Sequence, residues 1–223
     1  MKTNLAVSEA TSAMKKLFPQ NTLSKSILDY ICFIVLSTVL CIGLLSCNSG
    51  YTPKPKGYFK INFPEKKYQL FDQPGYPYTF EYPVYANVVK DSVFFGEATE
   101  NPWWININFP QFNGRVYVSY KEIGKNKLDK LVNDAFTLTN KHSAKAYSID
   151  DSLFVTPNNI HGVFFKVGGD VATANQFFLT DSVHHFLRGA LYFDATPNED
   201  SLAVVNRFLL EDVKHLIQTF HWK

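Results

Sequence analysis

The chain has 223 residues, 22 of them Lys or Arg and 20 Asp or Glu, for a formal net charge of +2. Four basic residues (Lys2, Lys15, Lys16, Lys25) and two acidic ones (Glu9, Asp29) precede Cys47, so the 177 residues from Cys47 onward carry 18 charges of each sign. A neutral body exerts no long-range pull on nucleic acid or on anionic lipid, which excludes both as electrostatically recruited partners.

The first predicted element is a 15-residue apolar run, Ile31 to Leu45, preceded by Lys15, Lys16 and Lys25 and followed by Ser46-Cys47. A helix that crosses the hydrocarbon needs roughly 20 apolar residues, whereas the centre of a secretory signal has about 7–15. The run therefore reads as a signal. Leu44-Leu45-Ser46-Cys47 resembles the bacterial lipoprotein motif. That resemblance implies cleavage between Ser46 and Cys47, a diacylglyceryl group on the Cys47 thiol, and further acylation of the palmitate kind on the new amino group. One chain holds a protein only marginally and two or more hold it stably. The alternative is an uncleaved short anchor in which Cys47 is incidental. Met14-Lys15-Lys16 offers a second translation start, 33 residues before Cys47. The other cysteines, Cys32 and Cys41, lie in the signal, so the processed chain would keep no free thiol and no disulfide.

Residues 47–57, beginning Cys-Asn-Ser-Gly, have no apolar period and read as a lipidated tether; residues 58–223 read as a single domain. From Tyr51 to Tyr85 there are eleven aromatic residues and six prolines. Two readings stay open: a face that binds sugar or peptide, or, preferred, a proline-fixed arm that packs its rings onto the domain.

Strands are predicted at Tyr78–Tyr82 and Ala86–Lys90. In Trp103–Phe109 the period of two places Trp103, Ile105, Ile107 and Phe109 on one face and Trp104, Asn106 and Asn108 on the other. Val116, Val118 and Tyr120 continue the pattern after a turn at Gly114, giving a hairpin. A helix follows, capped by Asn126, with Leu128, Leu131, Val132, Ala135 and Leu138 at helical spacing. Strands at Val163–Val167, Gln176–Leu179 and Val183–Phe193 come next, the last two joined at Asp181-Ser182. Thr196-Pro197-Asn198-Glu199 predicts a final helix capped by Thr196, with Leu202, Val205, Leu209, Val213, Leu216 and Phe220 as its apolar stripe. The whole is an α+β domain, a mainly antiparallel sheet covered by two amphipathic helices. This order resembles the topology of the photosystem protein PsbP, a likeness of fold and not of activity.

No nucleophile elbow, phosphate loop or zinc motif is present. His184 and His185 are adjacent on a strand and point to opposite faces, so they cannot chelate one ion. His215 and His221 miss helical i, i+4 spacing, and His142 and His161 stand alone. Asp150-Asp151 and Asp170 read as turn residues. Glu97 and Glu100 could line a cleft but have no identifiable acid–base partner. The expectation is no catalytic residue, no metal and no cofactor.

Taken together, the Cys47 motif, "YTPKPKGYFKINFPEKKY", "YPYTFEYP", "WWININFP", "GRVYVSYK" and "RGALYFDATPNEDSL" resemble the gliding-motility lipoprotein GldD family. The resemblance implies a non-catalytic assembly or stabilising component of a motility and protein-secretion machinery, held to the cell membrane or outer membrane through Cys47. Other envelope motility proteins are the implied partners. The residues after Cys47 contain no acid, which favours a periplasm-facing placement. Tyr58, Phe59 and Tyr68 are the expected partner contacts, because buried rings dominate interfaces. A periplasmic glycan- or peptide-binding module and an unrecognised hydrolase remain alternatives. Cys47→Ala is expected to leave an unprocessed precursor without lipid; an intact, unmodified 1–60 segment in the wild-type membrane protein, seen by mass spectrometry, would defeat the signal reading.

Overall fold

A computed structural model describes residues 25–45, 60–94 and 97–223. The chain divides into two compact units, Met1–Gly57 and Tyr58–Lys223. In the first, helix α1 spans Lys25–Leu45. Its side chains from Ser26 to Leu40 are exposed, and Thr38 returns its hydroxyl to the Ile34 carbonyl at 2.6 Å. Among the described residues no helix is long and apolar enough to cross a membrane.

The second unit is α+β and its strands pair antiparallel throughout. In chain order it holds β1 (Tyr68–Phe71), β2 (Tyr78–Pro83), β3 (Asn87–Lys90), β4 (Val93–Phe94), β5 (Glu97–Ala98), β6 (Ile105–Phe109), β7 (Gly114–Glu122), α2 (Leu128–Asn140), β8 (Ala146–Val155), β9 (His161–Gly169), β10 (Asn175–Thr180), β11 (His185–Phe193), α3 (Glu199–Thr219) and β12 (His221–Trp222). The main sheet has seven strands in the order β3-β6-β7-β11-β10-β9-β8, and a smaller sheet runs β1-β2-β12.

Alternation along the strands sorts side chains to two faces. One face presents Ile105, Ile107, Val116, Val118, Tyr120, Leu187, Leu191, Phe177 and Leu179, and α3 closes it with Val205, Leu209, Val213, Leu216 and Ile217. The small sheet joins this layer through Phe71, Tyr78 and Phe80, with Phe220 at no exposure. On the opposite face α2 sets Leu131 and Ala135 against Val163, Phe165, Phe178 and Phe186. Both layers meet at β10, all six of whose residues are buried. The Phe177 ring lies over Gly189 of β11: a Cβ there would fall 2.3 Å from the ring, so only glycine fits.

The predicted β6–β7 hairpin forms, paired from Ile105↔Val118 to Phe109↔Gly114. Its turn is a short 3-10 segment, Pro110–Phe112, followed by Asn113 at φ 48°, so asparagine and not Gly114 supplies the left-handed residue. The two tryptophans depart from the predicted alternation because β6 begins only at Ile105. Trp104 is buried and gives its indole N–H to the Tyr120 carbonyl at 2.8 Å. Trp103 is half-buried and meets Tyr120 edge-on. Asn126 does not cap α2; its amide bonds Glu100 at 2.8 Å, and Lys127 holds the cap position without a side-chain bond. Leu138, predicted on the apolar stripe, is exposed, and Thr139 is buried in its place. Asp150 and Asp151 are not in a turn but in the middle of β8, which the two carboxylates conceal as an apolar strand.

Asn198, not Thr196, caps α3: its side chain accepts from the Ser201 N–H at 2.8 Å. Asp170 accepts from the Glu199 N–H at 2.7 Å, so the turn aspartate caps a helix distant in sequence. Asn198→Ala is expected to cost about 0.5–2 kcal/mol, Thr196→Ala within about 0.5, and Leu209→Ala about 2–5 kcal/mol. Urea unfolding of the three variants checks the order; equal losses at Asn198 and Thr196 would contradict this cap.

Candidate functional site

Cys47, Ser46, Tyr58 and Phe59 lie outside the described residues. Tyr68 is described, and it works inside the domain. Its ring stacks on His215 with centroids 3.6 Å apart, and its hydroxyl donates to Asp212 at 3.1 Å. Burial first, then the Asp212 charge, push the Tyr68 hydroxyl up to about 12. The rest of the aromatic segment described, Phe63 to Tyr85, is buried or half-buried against the core formed with α3, so this part of it is a packed arm.

The histidines and carboxylates singled out in the sequence do not converge. His184 is exposed while His185 is tucked in: its ring stacks on Trp222 at 4.9 Å and its Nδ1 shares a hydrogen bond with the Tyr120 hydroxyl at 2.6 Å. His215 Nε2 meets Glu81 at 2.7 Å. Glu100 pairs with Lys121 at 2.5 Å. Burial raises the Asp181 carboxyl, but the backbone N–H groups of His185, His184 and Val183 outweigh it and hold the carboxyl below its usual range. Among the described residues, no group of three or more His, Cys, Asp or Glu is placed to hold a metal ion.

Two features remain open. The first is the outer edge of β8. This ten-residue strand ends the main sheet and pairs only with β9. Tyr147, Leu153 and Val155 stand on it with 75%, 82% and 56% exposure, flanking Asp150 and Asp151.

The second is the polar stretch of the same sheet face that begins at the edge of α2 and runs away from it. The register brings Asn87, Asn108, Arg115 and Tyr192 into one cross-strand row. Asn106, Tyr117, Ala190 and Gln176 form the next, and Ser119 faces Arg188 beyond it. Arg115 gives its Nε–H to Asn108 at 2.6 Å and lies 5.4 Å from the Tyr117 ring, which meets Tyr192 edge-on at 5.5 Å. Arg188 donates to Gln176 Oε1, which Thr139 of α2 also reaches at 3.4 Å. A groove of about 620 Å³ runs along the Asn108–Arg115–Tyr192 row and ends at Asn113 and Asp194. Arg188 Nε, Gln176 Nε2 and Asn106 Oδ1 are buried and find no hydrogen-bond partner among the described residues. Sequence reasoning passed over this face, although Asn106, Asn108, Arg115 and Tyr117 are the polar phase of the alternation it used for the core.

Burial holds the imidazoles of His142 and His185 below their ordinary pKa, with the Arg188 charge adding to the effect at His142. Both bind protons more weakly folded than unfolded, so stability rises with pH across their range and is lost below about 6.5. Thermal melts between about pH 7 and about pH 5 should show a falling Tm, and His142→Gln with His185→Gln should flatten the slope. Identical slopes would show that neither imidazole is held neutral by the fold.

No curated protein matches the chain. Among solved structures it is similar to cyanobacterial PsbP (CyanoP) from Synechocystis sp. PCC 6803, at 12% identity and a TM-score of 0.44, over 77% of this chain and 99% of that one; this says nothing of activity. The family model described as gliding motility lipoprotein GldD matches residues 48–222. From the residue after Cys47 to the penultimate residue, this chain belongs to the gliding motility lipoprotein GldD family.

Proposed function

We infer that the protein is a lipid-anchored, non-catalytic component of the gliding machinery, attached through Cys47 to the periplasmic side of an envelope membrane and acting by binding another envelope protein. Family membership supports the setting. Helix α1 supports the signal: its side chains from Ser26 to Leu40 are exposed and mostly apolar, a composition that suits an apolar medium. Residues 47–57 then give the folded unit reach from the bilayer.

The β8 edge carries the binding reading. A strand with one free edge offers unpaired N–H and C=O groups to an added strand, with pockets for alternate side chains setting specificity. In β8 the exposed Tyr147, Leu153 and Val155 supply apolar contact, and Asp150 and Asp151 sit centrally. Antiparallel pairing of two β8 copies about this centre would set carboxylate against carboxylate, which opposes a homodimer. The complementary occupant is an extended segment of another protein with Lys or Arg at its centre. Tyr58 and Phe59, just after the tether, are further candidate contacts; Tyr68 is committed to Asp212.

The catalytic alternative has less to support it, since His185, Asp181 and Glu100 are each engaged in bonds that hold the fold. Leu153→Lys with Val155→Lys, both on the exposed edge, should change stability by no more than about 0.5 kcal/mol per site. The same pair should abolish gliding and the cross-link to the partner while leaving membrane attachment intact. Normal gliding with an unchanged cross-linking pattern would overturn the edge as the docking strand.

A further inference from the structure

The polar part of the sheet face carries two guanidinium groups and no carboxylate that answers them. Among the described residues, neither Arg115 nor Arg188 forms an ion pair; Arg115 bonds Asn108 and Tyr117, and Arg188 bonds Gln176. Lys121, on the same face, is by contrast neutralised by Glu100. Arg188 is half-buried, burial disfavours its charged form, and its buried Nε–H has no acceptor among the described residues. A half-buried cation without a counter-ion and a buried N–H without an acceptor both carry a cost. Gln176, with no exposure, leaves a second donor, Nε2, unmet beside it. These donors call for oxyanion oxygens.

The surroundings define the rest of the ligand. Asn87, Asn106 and Asn108 form a ladder of amides across β3 and β6. Each amide is donor and acceptor at once, which matches hydroxyl groups. Tyr117 and Tyr192 add ring surface with hydroxyls at their tips, and the Tyr192 hydroxyl lies within electrostatic range of Arg188. Donors for a negative charge, amides for hydroxyls and rings for C–H surface describe an acidic sugar. At about 620 Å³ the groove has room for sugar units and not only for a single small ion.

We propose that the polar part of the main sheet face beside α2, from Asn108 and Arg115 through Tyr117 and Tyr192 to Arg188 at the edge of the helix, is a binding site for a carboxylate-bearing glycan. Its carboxylates sit on Arg188 and Arg115, and its hydroxyls on the asparagine ladder and, at the groove's end, Asp194. This site lies on the face of the sheet, whereas partner docking uses the β8 edge, so either can fail alone.

The test is equilibrium binding by the full-length purified protein in detergent, with oligogalacturonate as the probe. Its fully methyl-esterified form, a poly-glutamate peptide of similar length and inorganic phosphate are the comparisons. Oligogalacturonate should bind, and esterification should weaken it by about tenfold or more, as expected when charge-assisted bonds are lost. Arg188→Gln and the exposed Arg115→Gln should each weaken it similarly, with unchanged circular dichroism for at least Arg115→Gln. Leu153→Lys on β8 should leave sugar binding unaltered. Absence of oligogalacturonate binding, equal binding of the ester, tighter binding of poly-glutamate or phosphate, or indifference to Arg115→Gln would each overturn the proposal.

Discussion

The Asp212 carboxylate is the point on which three separate segments converge. It lies on the buried side of α3 with 1% of its side chain exposed, and Lys66 reaches it at 2.7 Å from the N-terminal arm. Tyr68 of β1 donates at 3.1 Å, and Tyr85, in the turn between β2 and β3, donates to its other oxygen. Lys66 also bonds the Phe208 carbonyl at 2.7 Å and sits 3.5 Å over the Phe208 ring. A carboxylate so deep is tolerable only because a cation and two hydroxyls occupy its oxygens; with one partner removed, the loss is about 3–5 kcal/mol. The cost of burying it is thus turned into a demand for one arrangement of the arm. Rings from Phe63 to Tyr85 supply the bulk of the apolar area, but rings alone slide, and the Asp212 bonds fix where they stop.

That constraint sets the small sheet over the core. With β1 held by Tyr68, its partner β2 carries Tyr78 and Phe80 down onto Phe220, and β12 closes against β2 through His221↔Thr79 and Trp222↔Tyr78. Phe220 is therefore part of the core, and His221 and Trp222 are paired into the small sheet. Tyr120 links this layer to the main sheet, meeting Trp103, Tyr78 and Trp222 and hydrogen-bonding His185.

Much of this was legible from periodicity. Ile105-Asn106-Ile107-Asn108-Phe109 and Val116-Tyr117-Val118-Ser119-Tyr120 announce half-buried strands, and the α3 stripe is visible at Val205, Leu209, Val213 and Leu216. What escaped has a local cause in each case. Strand β8 has exposure along almost its whole length, so an edge strand with Asp150-Asp151 at its middle shows no period at all. Strand β1 has four residues, too few for a pattern. The Thr196-Pro197 pair imitates a cap, but Pro197 leaves Asn198 extended at φ −151°, ψ 111°, and the helix opens two residues later than predicted. Tyr68 looked like display because its partner, Asp212, lies 144 residues away. Of the polar face, Asn106, Asn108, Arg115 and Tyr117 were visible as the off-phase of two strands; Gln176 and Arg188 were not, because nothing local marks them as facing the same way.

The existence of that face follows from widths. Seven strands at about 4.8 Å spacing span roughly 29 Å, whereas one helix with its side chains covers about 10–12 Å, or two to three strands. On the core side, α3 together with the β1-β2-β12 sheet closes most of the layer, from β3 to β10. On the other side α2 stands alone and its apolar contacts reach only β9, β10 and β11. The strands β3, β6 and β7 must then meet solvent on that side. An apolar surface there would be a large sticky patch. The chain instead sets asparagines, a tyrosine, a serine, an arginine and a lysine in those positions, while Asp150 and Asp151 hold the β8 edge against indiscriminate pairing. Solubility alone would be met by any mixed-charge surface with Lys and Glu interspersed. A face that pairs Arg115 with an amide, holds Arg188 half-buried without a counter-ion among the described residues and sets two tyrosines edge to face between them is more particular than solubility requires.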